Sequence, residues 1–190
     1  MSIEQLIPLI IAIPLIGGVI NGVFGKKLPK VIVGSIATIA VFTSFFLALS
    51  VFFQLEEAKT IDLFTILNLE NIQLNASLLV DNLSIWMTMI ITGVGALIHL
   101  FSMGYMSHDK GYYKFFTYLN LFIFAMLILV LGSNYFMLFF GWEGVGICSY
   151  LLIGFHYSDV EKGLLNGLAA RKAFIMNRIG DLGLLIGLFM

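Results

Sequence analysis

Long apolar runs, each closed by a short polar segment, set the rhythm of this chain. A helix needs about 20 apolar residues to cross a hydrocarbon core. Six stretches have that length or composition, roughly 3–23, 31–53, 83–105, 115–131, 135–155 and 173–190. The fourth is short at its apolar centre, and only Gly132, Ser133 and Asn134 separate it from the fifth, a gap that suits a tight helical hairpin. The sixth is still apolar at Met190, with no loop or basic anchor after it, so the chain is expected to be a shortened one. Between the second and third stretches the period changes. Leu67-Asn68-Leu69 and Ile72-Gln73-Leu74 alternate apolar and polar residues around Glu70-Asn71, which predicts a short β-hairpin. The pattern as a whole predicts an all-α membrane protein, a polytopic bundle of about six transmembrane helices forming a single membrane domain.

Composition agrees with this reading. Of the 190 residues 60% are hydrophobic and 11% are charged, against roughly 25% charged in soluble domains. A formal net charge of −1 argues against a nucleic-acid partner. The single cysteine, Cys148, cannot form an internal disulfide. The N-terminus has no basic n-region, so its first apolar run reads as a retained span instead of a cleaved signal peptide.

Cytoplasmic loops carry the excess of Lys and Arg. Lys26, Lys27, Lys30, Lys110, Lys114, Lys162, Arg171 and Lys172 fall on one side of the six spans, and only Lys59 on the other. The N-terminus and the hairpin loop are therefore expected to face away from the cytoplasm. Tyr105, Tyr112, Tyr113 and Tyr157 at one interface and Trp86 and Tyr135 at the other read as anchors. Asn75-Ala76-Ser77 matches a glycosylation sequon that is common by chance and carries no weight. Asp81 and Asn82 look like an N-cap. The stretch 164–170 could form a helical lead-in to the last span.

Glu143 is the foremost candidate for chemistry. It follows Tyr135 by eight positions, which places it ~12 Å into a core ~30 Å thick. A charge there costs at least ~2.5–3.5 kcal/mol, so it faces protein or water, finds a partner or binds a proton. Burial favours a protonated carboxyl and a nearby cation favours the ionised one. A glutamate whose cationic partner can move is thus suited to loading and releasing protons; the bland alternative is a glutamate pinned for helix packing. Gly141, Gly144 and Gly146 lower the bulk around it, for close helix approach or for a water chain. Arg178 and Asp181, three apart on one helix, can pair. They either lock packing as a self-neutralised pair or tune Glu143 and line a cytoplasmic entrance. Lys172 stands at the mouth of the same helix and can also simply snorkel. His99, with Ser102 three residues on, is either a hydrogen-bonded packing residue or a relay. His108 and His156 offer no metal-ligand spacing with it, and Gly18 and Gly22 give a weak GxxxG match. No phosphate loop, metal cluster, nucleophile triad or redox group is visible, so no cofactor is assigned to this chain.

The run from Gly141-Trp142-Glu143-Gly144-Val145-Gly146 through Phe155, with Lys172-Ala173-Phe174 and Asn177-Arg178-Ile179-Gly180-Asp181, closely resembles the subunit L family of bacterial NADH:quinone oxidoreductase, respiratory complex I. The mitochondrial counterpart is subunit 5. The likeness extends over nearly the whole chain, including Asp81-Asn82-Leu83-Ser84 and Gly111-Tyr112. It implies part of an antiporter-like fold built as inverted repeats, in a bacterial inner membrane, beside another antiporter-like subunit. It further implies proton translocation through Glu143, Arg178 and Asp181, with a lysine partner for Glu143 on a broken helix beyond Met190. A chain ending at Met190 is expected not to translocate protons by itself. The FMN, iron–sulfur clusters, NADH and quinone of such a complex belong to other subunits. Two alternatives stay open: a subunit of a multisubunit cation/proton antiporter, and a structural membrane scaffold.

Overall fold

Residues 2–69, 72–157, 159 and 163–189 are described by a computed structural model. They form α1 (Ile3–Phe24), α2 (Lys30–Gln54), β1 (Lys59–Leu69), β2 (Ile72–Val80), α3 (Asn82–Tyr105), α4 (Tyr112–Leu131), α5 (Tyr135–Ile153) and α6 (Gly163–Phe189). Helices α1 to α5 are each long and apolar enough to cross a membrane. The fourth is longer than its apolar run suggests, because Tyr112–Lys114 already belongs to it. The sixth takes in the lead-in expected over 164–170, giving 27 residues from Gly163, and Arg171, Lys172, Arg178 and Asp181 leave it less apolar than the other five.

α1 to α4 pack around a shared apolar core that includes Ile7, Ile10, Val41, Ile85, Ile123 and Leu127. α4 touches α1, α2, α3 and α5, whereas α6 docks on α5. Two prolines sit inside α1, at positions 8 and 14. A proline lacks the N–H that would bond the carbonyl four residues back, so Pro14 frees the Ile10 carbonyl. Ser44 of α2 supplies the missing donor, its Oγ lying 3.0 Å from that oxygen. In a membrane bundle such a substitution by a neighbouring helix is what makes an internal proline tolerable.

α3 begins in a capping box: the Ser84 N–H donates to Asp81 Oδ1 at 2.7 Å and the Asp81 N–H donates to Ser84 Oγ at 2.9 Å. Asn134 caps α5 by accepting from the Met137 N–H at 2.9 Å. The hairpin has the register that its alternation predicts, Leu69 opposite Ile72, Asn68 opposite Gln73 and Leu67 opposite Leu74. It is longer than predicted, with strands of 11 and 9 residues. Bulges between Asp62 and Phe64 and between Thr65 and Leu67 explain why the period-2 signal breaks down towards Lys59. The turn expected at Glu70 and Asn71 lies outside the described residues. β2 is tied to the short α4–α5 turn: Ser77 and Ser133 share a hydroxyl hydrogen bond of 2.6 Å, the Ser133 N–H donates to the Ser77 carbonyl at 3.1 Å, and Asn134 Nδ2 donates to the Asn75 carbonyl at 2.8 Å.

At the opposite end, Lys30 Nζ donates to the Ser107 carbonyl at 2.7 Å and His156 lies 3.6 Å from Asp109. The α1–α2, α3–α4 and α5–α6 connections therefore meet there. They surround a cavity of about 1120 Å³ whose lining includes Lys26, Lys30, Lys110, Lys114 and Tyr112. Lys162, another loop lysine of the basic group, lies outside the described residues.

Candidate functional site

Glu143 is placed by the contacts of α5 with two different neighbours. On one face α5 presses against α4: a Cβ at Gly141 would lie 2.4 Å from the Leu129 backbone nitrogen, and one at Gly144 would lie 2.9 Å from the Ala125 Cβ. Gly146 belongs to another face, its nearest neighbour being Asn177 Nδ2 of α6 at 3.8 Å from such a Cβ. The three glycines near Glu143 thus serve two interfaces. Gly141 and Gly144 bring α5 onto α4; Gly146 leaves room towards α6.

Across the α5–α6 interface the Arg178 guanidinium contacts both carboxylate oxygens of Glu143. The same guanidinium lies 3.8 Å from Asp181 Oδ2 and 4.8 Å from the centre of the Phe174 ring. Trp142 Nε1 donates to Asp181 Oδ1 at 2.7 Å. Sequence spacing suggested Arg178 and Asp181 as a pair on one helix; the structure adds that Arg178 makes its shorter contact to Glu143, and that Asp181 has a second partner in Trp142. The side chains of Asp181 and Glu143 are 8% and 18% exposed, and that of Arg178 is 42% exposed. The carboxylates are therefore the enclosed members and the cation the open one. A cavity of about 280 Å³ adjoins them, lined by Met126, Leu129, Trp142, Val145, Gly146, Asn177 and Asp181.

Lys172 is exposed, six residues before Arg178, and makes no hydrogen bond or ion pair among the described residues. His99 is elsewhere, fully enclosed in the α1–α4 bundle. Its Nδ1 lies 2.8 Å from the Gly95 carbonyl oxygen and its Nε2 lies 2.7 Å from Asn120 Oδ1. Ser102, its neighbour by spacing, is buried on the same helix but is not bonded to it among the described residues. Among the described residues no group of three or more His, Cys, Asp or Glu side chains is arranged to hold a metal ion.

Two participants were not singled out as candidate chemistry in the sequence. Trp142 adjoins Glu143, yet its indole donor matters only because α6 brings Asp181 to it. Asn120 is a lone polar residue in an apolar run, a signal of the same kind as His99.

Two family models match the chain. One, described as NADH-ubiquinone oxidoreductase (complex I), chain 5 N-terminus, covers residues 66–116. The other, NADH:quinone oxidoreductase/Mrp antiporter, TM, covers residues 132–190. NADH-quinone oxidoreductase subunit L of Escherichia coli K12 is 40% identical over 191 residues, 98% of this chain and 30% of that protein. The protein of the same name from Pseudomonas aeruginosa is 56% identical over 116 residues, 61% of this chain and 18% of its own length. The chain thus spans less than a third of these relatives. Its fold matches a chain in the solved Mrp complex from Dietzia sp. DQ12-45-1b, with a TM-score of 0.75 at 23% identity, over 95% of this chain and 18% of that one.

Proposed function

The chain belongs to the subunit L and chain 5 family of NADH-quinone oxidoreductase, and from that premise we propose that it supplies the N-terminal helices of an antiporter-like, proton-translocating subunit of respiratory complex I. It is a multi-pass membrane protein whose matched relatives are parts of membrane complexes. In this reading the oxidation of NADH and reduction of quinone, with their FMN and iron–sulfur clusters, take place on other subunits. A neighbouring antiporter-like subunit is its partner in the bilayer. All six helices cross a bacterial cell membrane as one domain, with the N-terminus facing away from the cytoplasm. The count of loop cations supports that direction.

The observation that carries the proposal is the Arg178 guanidinium laid across the Glu143 carboxylate between two helices. The cluster contains one cation and two carboxylates, +1 and −2, so with both acids ionised its formal charge is −1. A proton on one carboxylate, or a second cation, brings it to neutrality. Arg178 is the cation that neutralises Glu143 while the two are in contact, and its withdrawal into the open space around it leaves that carboxylate to take up a proton or another cation. Glu143 is then the proton carrier, Arg178 the group whose position sets its protonation, and Asp181 the anion that holds Arg178 when it leaves. Lys172 lies on the approach from the basic end.

Glu143→Gln in the full-length subunit, assembled in its complex, tests this. NADH-driven proton pumping is expected to fall severely while the complex still assembles and oxidises NADH. Unchanged pumping with normal assembly would refute a proton-carrying role for Glu143, and failed assembly would favour the scaffold reading. The likeness to the Mrp complex supports a second reading, a subunit of a multisubunit cation/proton antiporter. Co-purification of the full-length protein with redox subunits decides between the two.

A further inference from the structure

The basic end of the bundle holds positive charge that its own acids do not balance. The cavity of about 1120 Å³ there is lined by Lys26, Lys30, Lys110 and Lys114 against two acids, Asp109 and Asp159. Its described lining thus carries +4 and −2, a net +2 with His108 and His156 neutral, and more when either histidine is protonated. Asp109 already accepts from the Gly111 N–H at 2.6 Å and lies 3.6 Å from His156. None of the four lysines forms an ion pair with a carboxylate among the described residues. The excess of cations that sets the direction of a span does not require them to converge on one cavity.

Helix ends add to this charge. α2 and α4 both begin here, and neither start has a side-chain cap hydrogen bond or an acid in its first turn. The first N–H groups of a helix have no partner within it and carry a partial positive charge. Lys30 and Lys114 stand in those first turns, where the helix dipole disfavours a cation. The helices that begin at the opposite end differ: α1 has Glu4 in its first turn, and Asp81 and Asn134 cap α3 and α5.

The shape of the cavity narrows the kind of anion. Every charged residue of the described lining lies in a loop or in the first turn of a helix. Below them the wall is apolar or aromatic, with Val33 on α2, Tyr118 on α4, Tyr150 and Leu151 on α5 and Ala170 on α6. Tyr118 is six residues beyond Tyr112, so the wall descends about 9 Å along α4. A headgroup layer is roughly 5–8 Å thick, and a wall that deep passes through it into the hydrocarbon. A soluble anion would use only the upper, basic part. The volume also exceeds the roughly 300–1,000 Å³ of pockets for drug-sized ligands, far more than an inorganic ion fills. A ligand that is anionic above and apolar below uses both parts.

We infer that this cavity binds an anionic phospholipid, its phosphodiester among the four lysines and its glycerol and upper acyl chains against the apolar lower wall. Basic pockets between membrane helices suit such headgroups. The lipid joins the α1–α2, α3–α4 and α5–α6 connections, which otherwise meet through Lys30 on Ser107 and His156 beside Asp109. The inference does not depend on Glu143 carrying protons.

The test uses the full-length subunit in its purified complex, in phosphatidylcholine nanodiscs. These contain a small, equal fraction of phosphatidylglycerol or phosphatidylcholine bearing a diazirine on the upper acyl chain. Labelled peptides are identified by mass spectrometry. A lysine near an anionic headgroup is worth about fivefold in affinity. Phosphatidylglycerol is therefore expected to label the peptides containing Tyr118 and Leu151 about fivefold or more above phosphatidylcholine. Lys110→Gln combined with Lys114→Gln should lower that labelling by about tenfold or more. Lys27→Gln combined with Arg171→Gln removes the same charge outside the cavity lining and should leave it unchanged. Equal labelling by the two lipids, or undiminished labelling of the Lys110 and Lys114 variant, would overturn the inference. Suppression by inorganic phosphate, but not by sodium chloride of equal ionic strength, would assign the site to a soluble anion instead. Polypeptide filling the cavity in a map of the complex would assign it to another protein segment. Should the lysine variant fail to assemble, the comparison of the two lipids on the wild type decides.

Discussion

Removing the Arg178 guanidinium, as in Arg178→Met, should destabilise the α5–α6 interface by an amount set by how enclosed its partners are. Breaking a fully buried ion pair costs roughly 3–5 kcal/mol because a charge is stranded, and an exposed pair is worth only about 0.2–1 kcal/mol. Glu143 and Arg178, at 18% and 42% side-chain exposure, lie between those limits. Asp181 is not stranded, since the Trp142 indole still donates to it. A loss of about 1–3 kcal/mol follows for Arg178→Met, and a similar or smaller one for Glu143→Gln, which keeps a hydrogen-bonding side chain. The double variant no longer strands Glu143 and leaves only the Asp181 carboxylate, still held by the Trp142 indole, so it should be milder than the sum of the singles by about 1–2 kcal/mol. The four proteins are compared as full-length subunits in lipid nanodiscs, by the stability of the α5–α6 contact in a steric-trapping assay. Additivity within about 0.5 kcal/mol would show that the two charges do not depend on one another, and the reasoning from their contact would be wrong.

Further outcomes concern the interfaces and the cap. Gly141→Ala puts a methyl group against the Leu129 backbone and is expected to cost about 1–3 kcal/mol, whereas Gly146→Ala has space and should be nearly silent; thermal denaturation of both variants checks the difference. Ser44→Ala leaves the Ile10 carbonyl freed by Pro14 without its donor, and the same measurement should show a loss of about 0.6–2 kcal/mol. The Ser84 N–H donated to Asp81 holds that carboxyl below its ordinary value of 3.8. Its stabilising share is thus present above that ordinary value and lost as pH falls through the lower folded one. Asp81→Asn, still a good cap, should match the wild type at pH 7 and lose this acid-dependent component in an unfolding series from pH 6 to pH 2.

Much of the fold was legible because bilayer-spanning helices and half-buried strands have different periods. The residues around Glu70 and Asn71 alternate cleanly and gave the correct register, while the bulged half of β1 hid the hairpin's true length. The α6 boundary was less readable, since its first turns up to Arg171 and Lys172 carry no continuous apolar signal. Within the candidate site, the i,i+3 spacing of Arg178 and Asp181 was visible from the sequence. That Arg178 reaches Glu143, and that Trp142 reaches Asp181, depends on how α6 docks on α5, which no local pattern encodes. The pairing of His99 with Asn120 was hidden for the same reason.

The stitching of β2 to the α4–α5 turn gives the two helices of the charged cluster unequal freedom. α5 is clamped at its first residues by Ser133 and Asn134 and pressed along α4 through Gly141 and Gly144. α6 rests mainly on α5. In mechanical terms Glu143 stands on the fixed post and Arg178 on the freer arm, so a helix movement that separates them is a displacement of α6. A probe pair spanning α5 and α6 would register that movement, and a pair spanning α4 and α5 would stay silent.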